Sequence, residues 1–203
     1  SIAVIDHWVN YELRFIRNRR KVLPNIIWVF DEFAEKIAKN IFKRTKIEAY
    51  ENFYVNNLVK KIKPLEKKNI SISTKILYVL EPNRKKSIKK NLLFEFEVLD
   101  FFLSKIHKLN TKDNLEIKLR PHPSEKAEKY EEWLKSNNSL NLSMTINSSM
   151  EEDIAWADIV IGYESFALVI ASAASKRCIS SKLPSEDNAN LMIKNLEYLR
   201  DLN

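Results

Sequence analysis

DIVIGYESFALVIASAASKRCIS, residues 158–180, decides the fold. Its opening apolar run, 158–163, reads as a buried strand, 165–174 as a short helix of small and apolar residues, and 176–180 as a second strand. A strand, a helix and a strand joined this tightly form a β-α-β unit with parallel strands. Working back toward the N-terminus, the alternation recurs. KILYVL (75–80) is a strand, 91–109 a long amphipathic helix and LEIKLR (115–120) a strand, and 124–136 is a helix with Ser124 as its cap. A strand at 140–146 and a short helix at 150–156 complete the series. Repetition of this kind requires a parallel sheet with helices on both faces, a doubly wound, Rossmann-like α/β domain.

Further upstream the pattern is shorter. Residues 2–5 and NIIWVF (25–30) read as strands. Asp31 caps a helix carrying Phe33, Ala34, Ile37, Ala38 and Ile41 at helical spacing, and 46–50 reads as a third strand. Residues 56–74 are Lys-rich and broken by proline, without a clean period, and read as a linker. The expected division is a remnant of an N-terminal α/β domain at 1–55, the linker at 56–74, and the Rossmann-like domain at 75–203. The chain starts inside a strand and without Met, so it is expected to be a fragment lacking most of that first domain.

Composition narrows the function. With 45% hydrophobic residues in 203, the chain can bury an ordinary core and is not a disordered polymer. Cys178 is the single cysteine, which excludes a disulfide framework and a cysteine-based zinc site. Three histidines, none spaced i, i+4 with a glutamate, support no His-rich metal site, and no metal or other cofactor is expected. Gly162 is the only glycine. Glycine-rich phosphate loops and dinucleotide fingerprints are therefore excluded, and any nucleotide must be held by a helix N-terminus and side chains. No apolar run is long enough to span a membrane and no signal-peptide layout opens the chain, so a cytoplasmic setting is expected.

The net charge of +7 is unevenly placed. Residues 1–74 hold 15 Lys+Arg against 8 Asp+Glu, whereas 75–203 hold 19 of each. Arg14, Arg17, Arg19, Arg20 and Lys21 form one cluster and the lysines between 60 and 68 another. They form either a solvated face or a surface for an anionic membrane or an acidic acceptor. Nucleic acid is not expected, since no aromatic-interleaved basic motif accompanies them.

In open α/β sheets, ligands bind beyond the carboxyl ends of the strands. Two strand ends stand out. KLRPHPSE (118–125) places His122 between two prolines in a fixed, non-helical turn, beside Arg120, and both side chains can donate to an anionic oxygen. A plain proline loop would read the same way. GYESFAL (162–168) runs from Gly162 into a helix opened by Ser165, whose backbone N–H groups and hydroxyl suit an anion. Glu164 beside it suits the paired hydroxyls of a ribose, although a capping Ser and a solvated Glu are the simpler alternative.

The order of RPHP, a helix, a strand, SSMEEDI, ADIVIGYES, a small-residue helix and KRCISS resembles the C-terminal domain of GT-B-fold glycosyltransferases of bacterial surface polysaccharides. Polysialyltransferase-like, Kdo-transferase-like and teichoic-acid polymerase-like enzymes are the groups it looks most like. The resemblance covers residues 75–181 and implies glycosyl transfer from a CMP-, CDP- or UDP-linked sugar to a glycan acceptor, in capsule or surface-polysaccharide synthesis. It implies Arg120, His122 and Ser165 on the donor phosphates and Glu164 near ribose or base, with Ser148 and Ser149 in the neighbouring loop. It also implies an acceptor-side base, for which Asp6 or His7 stands at a strand end. In that setting the basic first part would touch the inner membrane surface peripherally. Ser175 stands where those enzymes usually have glycine before Lys or Arg, and a GT-B enzyme needs two full domains. An epimerase or hydrolase of the same fold, or a non-catalytic nucleotide-binding module, is the alternative.

Overall fold

The computed structural model describes residues 1–6, 10–66, 73–82, 93–109, 114–191 and 193–202. It divides into two compact units, Ser1–Asn56 with Asn190–Met192, and Asn57–Ala189 with Ile193–Asn203.

The first unit holds strands β1 (Ile2–Val4), β2 (Ile16–Arg17), β3 (Arg20–Lys21) and β4 (Ile26–Val29), helix α1 (Glu32–Ile41) and strand β5 (Lys46–Ala49). Strands β1, β4 and β5 form a parallel sheet in the order β1-β4-β5. The hairpin β2–β3 was not foreseen. It turns through Asn18 and Arg19, both at positive φ, as a two-residue hairpin with the right-handed strand twist requires. Asp31 caps α1 as expected, its carboxylate accepting the Ala34 N–H at 2.7 Å. The core gathers Ile5, Tyr11, Ile27, Val29, Ala34, Ala38 and Phe42.

The stretch read as a linker carries helix α2 (Phe53–Leu65). Asn52 Oδ1 accepts the Val55 N–H at 3.1 Å at its start. Val55, Leu58 and Ile62 recur at helical spacing and are all buried. The lysines between them fall on the wet side and Pro64 sits in the last turn, so the apolar stripe is hidden in a Lys-rich stretch. Residues 67–72 lie outside the described residues.

In the second unit the order is β6 (Ser73–Val79), α3 (Phe94–Lys105), β7 (Asn114–Arg120), α4 (Glu131–Ser136), β8 (Leu142–Met144), α5 (Met150–Trp156), β9 (Ile159–Gly162), α6 (Phe166–Ala173), β10 (Arg177–Ser180) and β11 (Glu197–Tyr198). The six strands are all parallel, in the order β8-β7-β6-β9-β10-β11. Counted within the unit, this is 3-2-1-4-5-6, the doubly wound Rossmann-like arrangement whose winding reverses between β6 and β9. Ile76 and Tyr78 face one side with Leu99 and Phe102 of α3. Leu77 and Val79 alternate to the other side and are equally buried. The short sixth strand, β11, went unread in the sequence. Arg177 of β10 holds it, with Nε and Nη2 on the two Glu197 carboxylate oxygens at 2.8 and 2.7 Å.

Gly162 belongs where β9 meets β6. Val79 is its register partner, and a Cβ on Gly162 would stand 2.5 Å from the Val79 Cγ2. The close approach of the two strands, rather than an unusual backbone angle, excludes a side chain here.

Candidate functional site

The reversal between β6 and β9 opens a crevice at the carboxyl edge of the sheet. Glu81 follows β6, the turn Tyr163–Glu164–Ser165 follows β9, His122 follows β7 and Lys182 follows β10. Glu81 Oε2 accepts the backbone N–H of Glu164 at 2.9 Å. Lys182, 4% exposed, points its ammonium at Glu164 Oε2 at 3.5 Å and over the ring of Tyr163. Tyr163 in turn donates to Glu186, and Ser180 Oγ donates to the Tyr163 carbonyl at 2.8 Å. Arg200 holds the segment after Lys182 by donating to the carbonyls of Leu183 and Glu186 at 3.2 and 2.6 Å.

Burial pushes the Glu81 carboxyl above the ordinary carboxylate range, and the neighbouring Glu164 carboxylate adds to the shift. The hydrogen bond from the Glu164 N–H, the nearby His122 ring and the Lys182 ammonium oppose it.

Ser165 is the N-cap of α6, its hydroxyl accepting the Ala167 N–H at 3.3 Å. The helix begins where the sequence places it, so its amide end faces the crevice. Ser124 does not cap a helix. The chain after it makes a 3-10 turn, Ala127–Tyr130, and α4 starts only at Glu131. Ser124 instead turns back onto His122: its N–H donates to His122 Nδ1 at 3.2 Å and its hydroxyl lies 2.7 Å from the same atom. A nitrogen that accepts the amide bears no proton, so Nε2 carries the hydrogen and is the ring's donor. The turn is braced further. Glu125 N–H donates to the His122 carbonyl at 2.9 Å, and Lys129 bridges Glu125 to Glu95 of α3. Burial raises the Glu125 carboxyl, yet the bonds from Lys129 and Tyr130 outweigh it and leave it low and ionised.

Arg120 has another partner than a ligand. Its Nη1 meets the carboxylate of Asp153 on α5 and donates to the Ser148 carbonyl at 3.0 Å. The Asp153 side chain is 3% exposed and that of Arg120 17%, a buried ion pair tying α5 to the end of β7. Ser149 caps α5 in a reciprocal box with Glu152, and the Ser148 hydroxyl is buried. Ser149 is thus committed to the helix cap, and Ser148 engages Arg120 through its carbonyl. Asp6, in the first unit, is ion-paired with Arg14 at 3.3 Å, while His7 lies outside the described residues.

The structure thus brings His122, Glu164 and Ser165 to one sheet edge and adds Glu81 and Lys182, to which the sequence assigned no role. Glu81 follows β6 and Lys182 follows β10, and that these two strand ends lie near each other is known only from the strand order.

No known family matches this chain, and no curated protein matches it. Among solved structures it is similar to the wall teichoic acid polymerase TagF, with a TM-score of 0.40 and 16% identity, over 77% of this chain and 39% of that one. The fold assignment stands on the strand order of the second unit. Among the described residues, no helix is long and apolar enough to cross a membrane.

Proposed function

We propose that the second unit binds the nucleotide end of a CMP-, CDP- or UDP-linked sugar and that the protein transfers that sugar to a glycan acceptor in surface-polysaccharide synthesis. The observation that carries this reading is the placement of a fixed Nε2–H donor on His122, after β7, and of the amide end of α6, after β9, at one carboxyl edge of the sheet. In the transfer, the acceptor hydroxyl gives its proton to a base, for which Asp6 is the candidate among the described residues, and its oxygen bonds to the anomeric carbon as the bond from that carbon to the phosphate oxygen breaks. The electron pair leaves on the phosphate, where His122 and the α6 dipole offset the growing charge. Glu164, beside the start of α6, accepts from ribose hydroxyls. The basic surface of the first unit, with Arg14, Arg17, Arg19, Arg20 and Lys21, would meet the anionic acceptor or the membrane surface on which it is built.

Calorimetric titration of CMP, CDP and UDP into the wild type and His122→Ala tests the donor site. One of the three should bind, and the loss of a hydrogen bond to a charged phosphate should weaken it roughly tenfold or more. Absence of binding by all three, or indifference to His122→Ala, overturns the reading.

A further inference from the structure

The crevice contains an anion of its own. Glu81 is the side chain that takes the Glu164 N–H, the amide immediately ahead of the Ser165 cap. An amide at a helix start is the group an incoming phosphate would use, and here a carboxylate already accepts it. Lys182 offsets that charge only in part, because its ammonium lies against Glu164 and the Asn188 carbonyl. The groups facing Glu81 are Glu164 after β9, His122 after β7, Lys182 after β10, Glu95 of α3, Tyr78 of β6 and Tyr163.

Resting on the nucleotide reading above, we propose that Glu81 is a specificity-determining residue that competes with the ligand's phosphate for the start of α6, so that nucleotide affinity is governed by whether Glu81 carries a proton. An ionised Glu81 beside Glu164 repels a phosphate and withholds the amide. A protonated Glu81 does neither strongly. Binding a phosphate therefore draws a proton onto Glu81, and affinity rises as pH falls through the range in which Glu81 takes that proton up. Burial of the Glu81 carboxyl shifts this range upward from that of an exposed carboxylate.

The test compares wild type and Glu81→Gln, which keeps size and shape but cannot ionise. The nucleotide that binds best is titrated at pH 5 and pH 8 into both. Because everything but the Glu81 side chain is common to both proteins, the affinity ratio isolates Glu81. Expected is about five- to tenfold tighter binding by Glu81→Gln at pH 8, a coupling of ordinary size, and a smaller difference at pH 5. Without ligand, the Glu164 amide shift of the wild type should titrate with the Glu81 carboxyl, and that titration should vanish in Glu81→Gln. Equal binding by the two proteins at both pH values overturns the competition and leaves the nucleotide reading standing. No nucleotide binding by either protein overturns the nucleotide reading and the competition with it. A Glu164 amide that ignores pH overturns the competition on its own.

Discussion

Asp153 shows how a residue can look like part of a ligand-binding stretch and do structural work. It lies in the MEEDI segment, part of the order that carries the resemblance, yet its carboxylate is buried against Arg120. Removing one partner of such a pair leaves the other charge buried and unmatched. Asp153→Ala is therefore expected to lower stability by about 3–5 kcal/mol in urea unfolding. Gly162 is constrained from the opposite direction, by lack of room. Since Val79 is β-branched and cannot swing its Cγ2 away freely, Gly162→Ala should cost about 1–3 kcal/mol by thermal or chemical unfolding. Val79→Ala combined with it should give back part of that loss, because the clash is with a single methyl group.

At the level of elements, α6 was legible almost residue by residue. Its cap, its small apolar body and its end all follow from local chemistry. The end illustrates a compromise. Lys176 N–H donates to the Ala171 carbonyl and Ser175 N–H to the Ser172 carbonyl, closing the helix through a residue in the left-handed region. That residue is Ser175, at φ 63°, where glycine is the relaxed choice. Ser175→Gly is thus expected to stabilise by about 1 kcal/mol and to raise the Tm by roughly 2–4 °C in a chain of this size, as read by calorimetry. Helix α2 shows the converse. Its three buried apolar residues are diluted by lysines, and only packing tells them from a Lys-rich linker. The 124–136 stretch fails for a local reason as well: Ser124 can cap a helix or bond His122, and it bonds His122.

For the whole chain, the excess of +7 is not gathered on one unit. Residues 1–56 hold 10 Lys+Arg against 7 Asp+Glu, and the rest of the excess falls on α2 and the residues just after it. The interior of the second unit is closed around Cys178, whose thiol donates to the Leu168 carbonyl at 3.5 Å and whose pKa burial pushes up to about 12. The thiol should accordingly resist a thiol reagent at pH 8 and react at the rate of unfolding, in step with loss of circular dichroism. The sequence by itself determined the alternating strands and helices of the second unit, the caps at Asp31 and Ser165, and the presentation of His122 between prolines. These follow from hydrophobic period, capping chemistry and proline sterics, all local in the chain. Only the tertiary structure decided the strand order, and with it the crevice. It also decided that Arg120 turns to Asp153 and that Glu81 and Lys182 stand at the site. Those outcomes depend on which strand ends become neighbours, and residues 83, 101 or 33 positions apart carry no mutual signal until the sheet brings them together.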